Sequence, residues 1–312
     1  MLWRPTAVAR LHSARSVMGV DVSARGEVLA HTREGVYLLS DGAFVSACRS
    51  AGVFGSVIWH PTGVGFVALL YEPANGVDRG AELWCMKCTS PDPDALLFHV
   101  GHTHCQRLFR WGPQKAVSLV VGSGEHAHVV AVDTAEGRSD RKVERRHLRL
   151  PQPGFVLSST NGVSPSPDGR LAALVVCDPD FPGTSRVWRY DLVREEGVPM
   201  TPPSLNAAHP AWCPAGGRIA FTALRGALPE GDVLEYAVAV REALASNRAP
   251  AEAPVGRPRV PRSDLWVCDH DGHRLVRVAR QVQSVTPAWH PSGEFVYFLR
   301  GNTLHRAHAS AE

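Results

Sequence analysis

The sequence predicts an all-β chain: a six-bladed β-propeller of four-stranded antiparallel blades, its ring closed by an N-terminal strand, with one partly helical insertion in blade five. Three observations predict it. A turn phrase of the form Trp-x-Pro-x-Gly recurs ahead of apolar runs. The copies stand at blade-sized intervals. The 28 Gly and 24 Pro among 312 residues favour many short strands over a few long helices.

The copies are "GVDVSARGEVLAH" from Gly19, "VIWHPTGVGFVALLY" from Val57, "LFRWGPQKAVSLVVG" from Leu108, "GVSPSPDGRLAALVV" from Gly162, "PAWCPAGGRIAFTA" from Pro210 and "PAWHPSGEFVYFL" from Pro287. Each reads as two strands about a tight turn, in which Pro, where present, presets φ at an early position and a Gly, Asn or Asp nearby accepts a positive φ. The turn markers Ala24, Pro61, Pro113, Pro167, Pro214 and Pro291 are 37, 52, 54, 47 and 77 residues apart. Blades of about 40–50 residues give such periods, and the longest interval holds the insertion.

A third strand follows in each unit: "GVYLLS", "ELWCMK", "HVVAVD", "RVWRYD", "DLWVCD" and "NTLHRA", with Asp133, Asp191 and Asp269 opening turns. Fourth strands read as "AFVSACR", "DALLFHV", "KVERRHLRL", the poorly patterned "VPMTPPSL", and "HRLVRVA". The sixth unit stops after its third strand, and "TAVARLH" near the N-terminus is left over, so it is expected to supply the missing outer strand. The whole of 1–312 is thus expected to form one propeller domain, interrupted at 226–261.

These phrases, above all "SPSPDGRLAALVV" and "PAWHPSGEFVYFL" followed by "DLWVCDHDGHRLVRV", resemble the TolB-type repeat of WD-like propellers over nearly the whole chain outside the insertion. Blades one and three depart from the motif at "VSARG" and "WGPQK". The resemblance implies the propeller fold. It implies no single function, because such propellers serve as binding platforms, as domains of proteases and as parts of envelope complexes.

Composition narrows the partners. Lys and Arg number 33 against 30 Asp and Glu, so the formal charge of +3 provides no field that would select nucleic acid. No apolar run approaches the roughly 18 residues of a membrane span, and no membrane insertion is expected. The arginines at positions 4, 10 and 15 break up any signal-peptide core, and the seven cysteines are odd in number and mostly single. A cytoplasmic location is expected, or a periplasmic one if an export segment has been removed.

In antiparallel blades the connections into first strands and those between second and third strands emerge on one face. The longest segments fall there, and long loops on a rigid scaffold are where binding concentrates. The insertion is the longest. In its first part Val233, Ala237, Val240 and Leu244 recur at helical spacing. The Pro- and Ala-rich return carries Arg257 and Arg259. These six residues are the candidate partner-binding set. On the surrounding loops Glu72, His102, His104, His126, His128, Asp178 and Asp180 are candidates for a ligand at the channel mouth.

Other constellations are weaker. Cys85, Cys88, His102 and Cys105 have the spacing of a zinc site, but a hairpin turning at "SPDP" puts His102 roughly 20 Å along the strands from Cys88. The arginine-rich "GRSDRKVERRHLRL" reads as a charged outer strand. His60 and His290 occupy a turn slot filled elsewhere by Ser166 and Cys213, and only Trp3 of eight tryptophans falls outside the repeat. No G-x-S-x-G, H-E-x-x-H or P-loop is present, and the predicted channel strands offer Asp21 as their acid. No cofactor and no metal are therefore expected. The leading expectation is a non-enzymatic platform, a monomeric propeller binding another protein within a complex. A metal- or small-ligand-dependent hydrolase of the lactonase kind and a structural subunit of a larger assembly are the alternatives.

Overall fold

The computed structural model describes residues 2–12, 16–49, 52–63, 65–74, 77–86, 95–101, 108–110, 116–121, 128–134, 143–147, 156–157, 163–177, 184–224 and 263–310. They form six antiparallel sheets in a ring. Blade one is β2 (Gly19–Val22), β3 (Val28–His31), β4 (Gly35–Ser40) and β5 (Ala43–Arg49). Blade two is β6 (Val53–Trp59), β7 (Phe66–Ala74), β8 (Val77–Met86) and β9 (Ala95–Gly101). Blade three is β10 (Leu108–Arg110), β11 (Ala116–Val121), β12 (His128–Asp133) and β13 (Val143–His147). Blade four divides its inner strand into β14 (Val156–Leu157) and β15 (Val163–Pro165), followed by β16 (Leu171–Cys177), β17 (Ser185–Asp191) and β18 (Glu196–Pro199). Blade five is β19 (Ala207–Trp212), β20 (Arg218–Leu224), β21 (Ser263–Asp269) and β22 (Val276–Val282).

Blade six contains β23 (Ala288–Trp289), β24 (Phe295–Arg300) and β25 (Thr303–Ser310). Its outer strand is β1 (Leu2–Arg10), which pairs with β25 from Leu2↔Ser310 to Arg10↔Thr303. The expected closure by "TAVARLH" is present, and it begins earlier in the chain than the apolar pattern suggested.

The second strands read as unbroken apolar runs because each blade is covered on both sides. Successive side chains in a strand point to opposite faces, hence to opposite neighbours. In β16, Ala172, Leu174 and Val176 pack toward blade three, whereas Ala173 and Val175 pack toward blade five. In β7, Val67 and Leu69 face blade three while Phe66, Ala68 and Leu70 face blade one. Among the described residues the buried apolar side chains fall into six clusters, one between each adjacent pair of blades around the ring.

The seam between blades five and six uses the leftover tryptophan. Trp3 meets Trp289 edge to face with centroids 6.1 Å apart. The Arg218 guanidinium lies over both rings, 5.8 Å from Trp3 and 5.3 Å from Trp289. Trp289 donates its indole N–H to the Ala211 carbonyl at 2.9 Å. Trp3 is therefore part of the ring's core and offers no platform of its own.

One end of the ring, here called the turn face, repeats itself. In five blades the residue opening the first turn (Ser23, His60, Ser166, Cys213, His290) accepts at its carbonyl from the N–H of Gly26, Gly63, Gly169, Gly216 or Gly293, at 2.8–3.0 Å. Those glycines have φ of 70–86°, the left-handed region in which a side chain is strained. His60 and His290 are turn residues as expected: their Nδ1 atoms lie 2.6 Å from Thr62 Oγ1 and 2.9 Å from Ser292 Oγ. Blade one has this turn despite Ala24 in the Pro position; the corresponding turn of blade three lies outside the described residues.

Two expectations about strands shift. The "VPMTPPSL" strand is instead β18, ending at Pro199, followed by a 3-10 turn at Pro203–Leu205, because prolines cannot donate to a continuing ladder. The segment around Glu72, expected as a loop, is the end of a long hairpin: Pro73 pairs with Asp78 and Ala74 with Val77, and the register shift between Tyr71 and Pro73 leaves Glu72 as the bulged residue. The expected helix in 226–261 lies outside the described residues. Among the described residues no helix is long and apolar enough to cross a membrane.

Candidate functional site

The inner strands surround a central channel of about 1110 Å³. Each presents to it an edge whose backbone groups have no further strand to pair with, and these need partners. Side chains of preceding blades supply several. Asp21 accepts from the Trp59 N–H at 2.7 Å, Ser56 from the Leu108 N–H at 3.1 Å, and Ser164 from the Trp212 N–H at 2.8 Å.

The position two residues before each turn lies at the channel's waist: Asp21, Ile58, Arg110, Ser164, Ala211 and Ala288 in blades one to six all line it. Asp21 and Arg110 form an ion pair that reaches across blade two. The Arg110 Nη2 also approaches the carbonyls of Val22 and Trp59, each at 3.5 Å. Half of the waist is therefore occupied by this pair beside Ile58, and the other half by small side chains. Asp21 was legible in the sequence as a channel acid. Arg110 was not, because it lies in the divergent "WGPQK" copy, 89 residues away from its partner.

The opposite end of the ring, the loop face, carries the channel mouth. Two inner-strand glycines have rings lying across them. A Cβ at Gly19 would come 2.5 Å from His31 Nε2, and one at Gly55 would collide with the Tyr71 ring. His31 is 3% exposed, and burial lowers its pKa to about 4, so it is neutral at physiological pH. Arg33 accepts the Phe54 N–H at its carbonyl, at 2.9 Å, which joins blades one and two at this rim. His209 also lines the channel, from a bulge in β19 with φ of 53°. A bulge re-aims a side chain, and the only signal of it in the sequence was Pro210 inside an apparent strand.

Of the residues singled out from sequence, His102, His104, His126, Asp178, Asp180, Val233, Ala237, Val240, Leu244, Arg257 and Arg259 lie outside the described residues. Glu72 sits in β7, as above, and His128 is the first residue of β12, paired with Val121 and His147. Because β12 is a third strand, His128 lies away from the channel lining. For the zinc-like spacing, Cys85 is in β8 opposite Ala95, while Cys88, His102 and Cys105 lie outside the described residues. Among the described residues no three His, Cys, Asp or Glu side chains are grouped as a metal site.

The insertion's place in the ring is nonetheless defined by its ends. Leu224 and Ser263 are register partners at the loop-face end of β20 and β21. The 38 residues between them, 225–262, leave and re-enter the blade at one point.

No protein-family profile matches the chain, and no curated protein matches it in sequence. Solved structures do match. A structure from Agrobacterium tumefaciens assigned to TolB superposes with a TM-score of 0.58 at 12% identity, over 96% of this chain and 92% of the other. TolB from Acinetobacter baumannii gives 0.50 at 12% identity; the match takes in 95% of this chain and 64% of that one. A gluconolactonase from Xanthomonas campestris gives 0.58 at 10% identity over 98% and 89% of the two chains. At such identities the likeness establishes the propeller fold and nothing finer.

Proposed function

We propose that this propeller is a non-enzymatic protein-interaction platform whose partner contacts the loop face and the 226–261 insertion. The observation that carries the reading is the placement of 38 residues between two register partners, Leu224 and Ser263, on a rigid blade. A segment of that length at such a point is accessory to the blade's own hydrogen bonding, which leaves it available for recognition. The stripe Val233, Ala237, Val240 and Leu244 would provide an apolar helix face for the partner, with Arg257 and Arg259 on the return.

The test is removal of residues 226–261, with crosslinking affinity purification of both forms from the native organism. The expected result is an unchanged thermal midpoint and loss of a specific partner. Retention of that partner by the shortened protein would overturn the reading. Constitutive recovery at fixed stoichiometry would identify a structural subunit.

A second reading, a small-ligand enzyme at the channel, is favoured by the channel itself and by the gluconolactonase among the similar structures. It would draw on Glu72, Asp178, Asp180 and the loop histidines. Lactone hydrolysis that depends on an added divalent cation would establish it. Against it stands the lining: Asp21 is the one carboxylate among the described channel residues.

A further inference from the structure

We propose that the waist of the channel binds the carboxylate group of a small organic acid, received by Arg110. The inference is independent of the platform reading, since it concerns the inner strands alone. Arg110 reaches Asp21, Val22 and Trp59 through Nη2 only, so three of its five N–H donors, on Nε and Nη1, have no partner among the described residues. Its side chain is 38% exposed, whereas the Asp21 side chain is 17% exposed. The acid holds the base in place while leaving its donors open to the channel. A guanidinium fixed beforehand loses less conformational freedom when it binds an anion.

The charge of the lining favours an anion. Among the described residues it contains two guanidinium groups, Arg33 and Arg110, against the single carboxylate of Asp21, while the buried His31 is neutral. A cation would meet an excess of positive charge, and an anion would not. The Asp21 charge beside Arg110 favours a singly charged group over a phosphate dianion, which would bring two further charges to one guanidinium. Space is on the far side, where Ser164, Ala211 and Ala288 leave the waist open and the Ser164 hydroxyl adds a polar group. A channel of about 1110 Å³ is large enough for a small molecule.

The full-length protein is titrated calorimetrically with acetate, succinate and benzoate, with succinamide as the neutral counterpart of succinate and inorganic phosphate as the multiply charged comparison. At least one carboxylate is expected to saturate in the micromolar to low millimolar range, weakening as salt is added, while succinamide does not bind. Arg110→Gln is expected to lower the affinity at least tenfold, and Arg33→Gln, which removes lining charge without touching the Asp21–Arg110 pair, by a clearly smaller factor. Because Arg110→Gln leaves Asp21 unpaired, the double variant Asp21→Asn/Arg110→Gln replaces the ion pair by an amide pair and tests the same loss in a neutral background. The assignment is overturned if no carboxylate saturates, if phosphate binds in preference, if the double variant binds as the parent does, or if Arg33→Gln is the substitution that abolishes binding.

Discussion

The two faces of this ring are made by different rules. On the turn face the connection from first to second strand is five residues long in five blades and six in blade two. On the loop face the connection from second to third strand runs from two residues, in blades two and six, to 38 in blade five. The five described first turns share one backbone hydrogen-bond pattern and a glycine at positive φ. A hairpin that must deliver an inner strand to the channel and an adjacent strand to two interblade cores has little freedom in its turn. The opposite ends of the same strands have no such constraint, and there the six units differ from one another. Repetition therefore marks what the fold requires, and irregularity marks what this chain adds.

Substitutions can break that contrast. The largest effect is expected at Gly293, with φ of 72° and a Cβ position only 2.8 Å from Ala215 Cβ and 2.9 Å from Cys213 Sγ. Gly293→Val combines backbone strain with overpacking and should destabilise by about 4 kcal/mol, read from urea denaturation. Next comes His31, the buried imidazole at the channel mouth. Folded, it takes a proton only near pH 4; in the unfolded chain it does so near 6.5. Between these values the unfolded state binds more protons, so its contribution is intact above about pH 6.5 and is lost as the pH falls toward 4. The full loss is about 3 kcal/mol. Denaturation at pH 7, 5.5 and 4.5 should show parent and His31→Phe diverging over that window, and parallel pH curves would remove His31 as the cause.

Smaller effects sharpen the comparison. Gly63 has φ of 76° but nothing within 4 Å of a Cβ position. Gly63→Ala should therefore cost only the conformational part, about 1 kcal/mol, and its difference from Gly293→Val separates strain from crowding. The smallest change should follow removal of residues 226–261: a shift of less than about 2 °C in thermal midpoint, consistent with a stability change below about 0.5 kcal/mol. A large loss would mean that the loop face, too, contributes to holding the ring.

The same division governs what the sequence discloses. The strands were legible because turn chemistry is local and recurs ahead of apolar runs, and the closure by the N-terminal segment because the sixth unit lacks an outer strand that this segment can supply. Even the degenerate "VSARG" copy formed its turn, since Gly26 supplies the positive φ that the motif needs. The channel was less legible. Arg110 acquires its role from Asp21 two blades away, and His31 ends an apolar strand, "VLAH", in which nothing local indicates that its ring will lie across Gly19. In the sequence Glu72 falls in an apparent loop, "YEPANGVDRG"; the hairpin absorbs the proline after a bulge, a length that depends on pairing rather than on composition.

The closure of blade six also has a mechanical consequence. Leu2 and Ser310 are register partners, so the start of β1 and the end of β25 lie side by side at one end of an antiparallel pair. Tension applied through both ends would load these hydrogen bonds one after another, as in unzipping, rather than all together in shear. Under load the ring would yield first at this seam, exposing Trp3 and Trp289 to solvent before any other interblade core is disturbed.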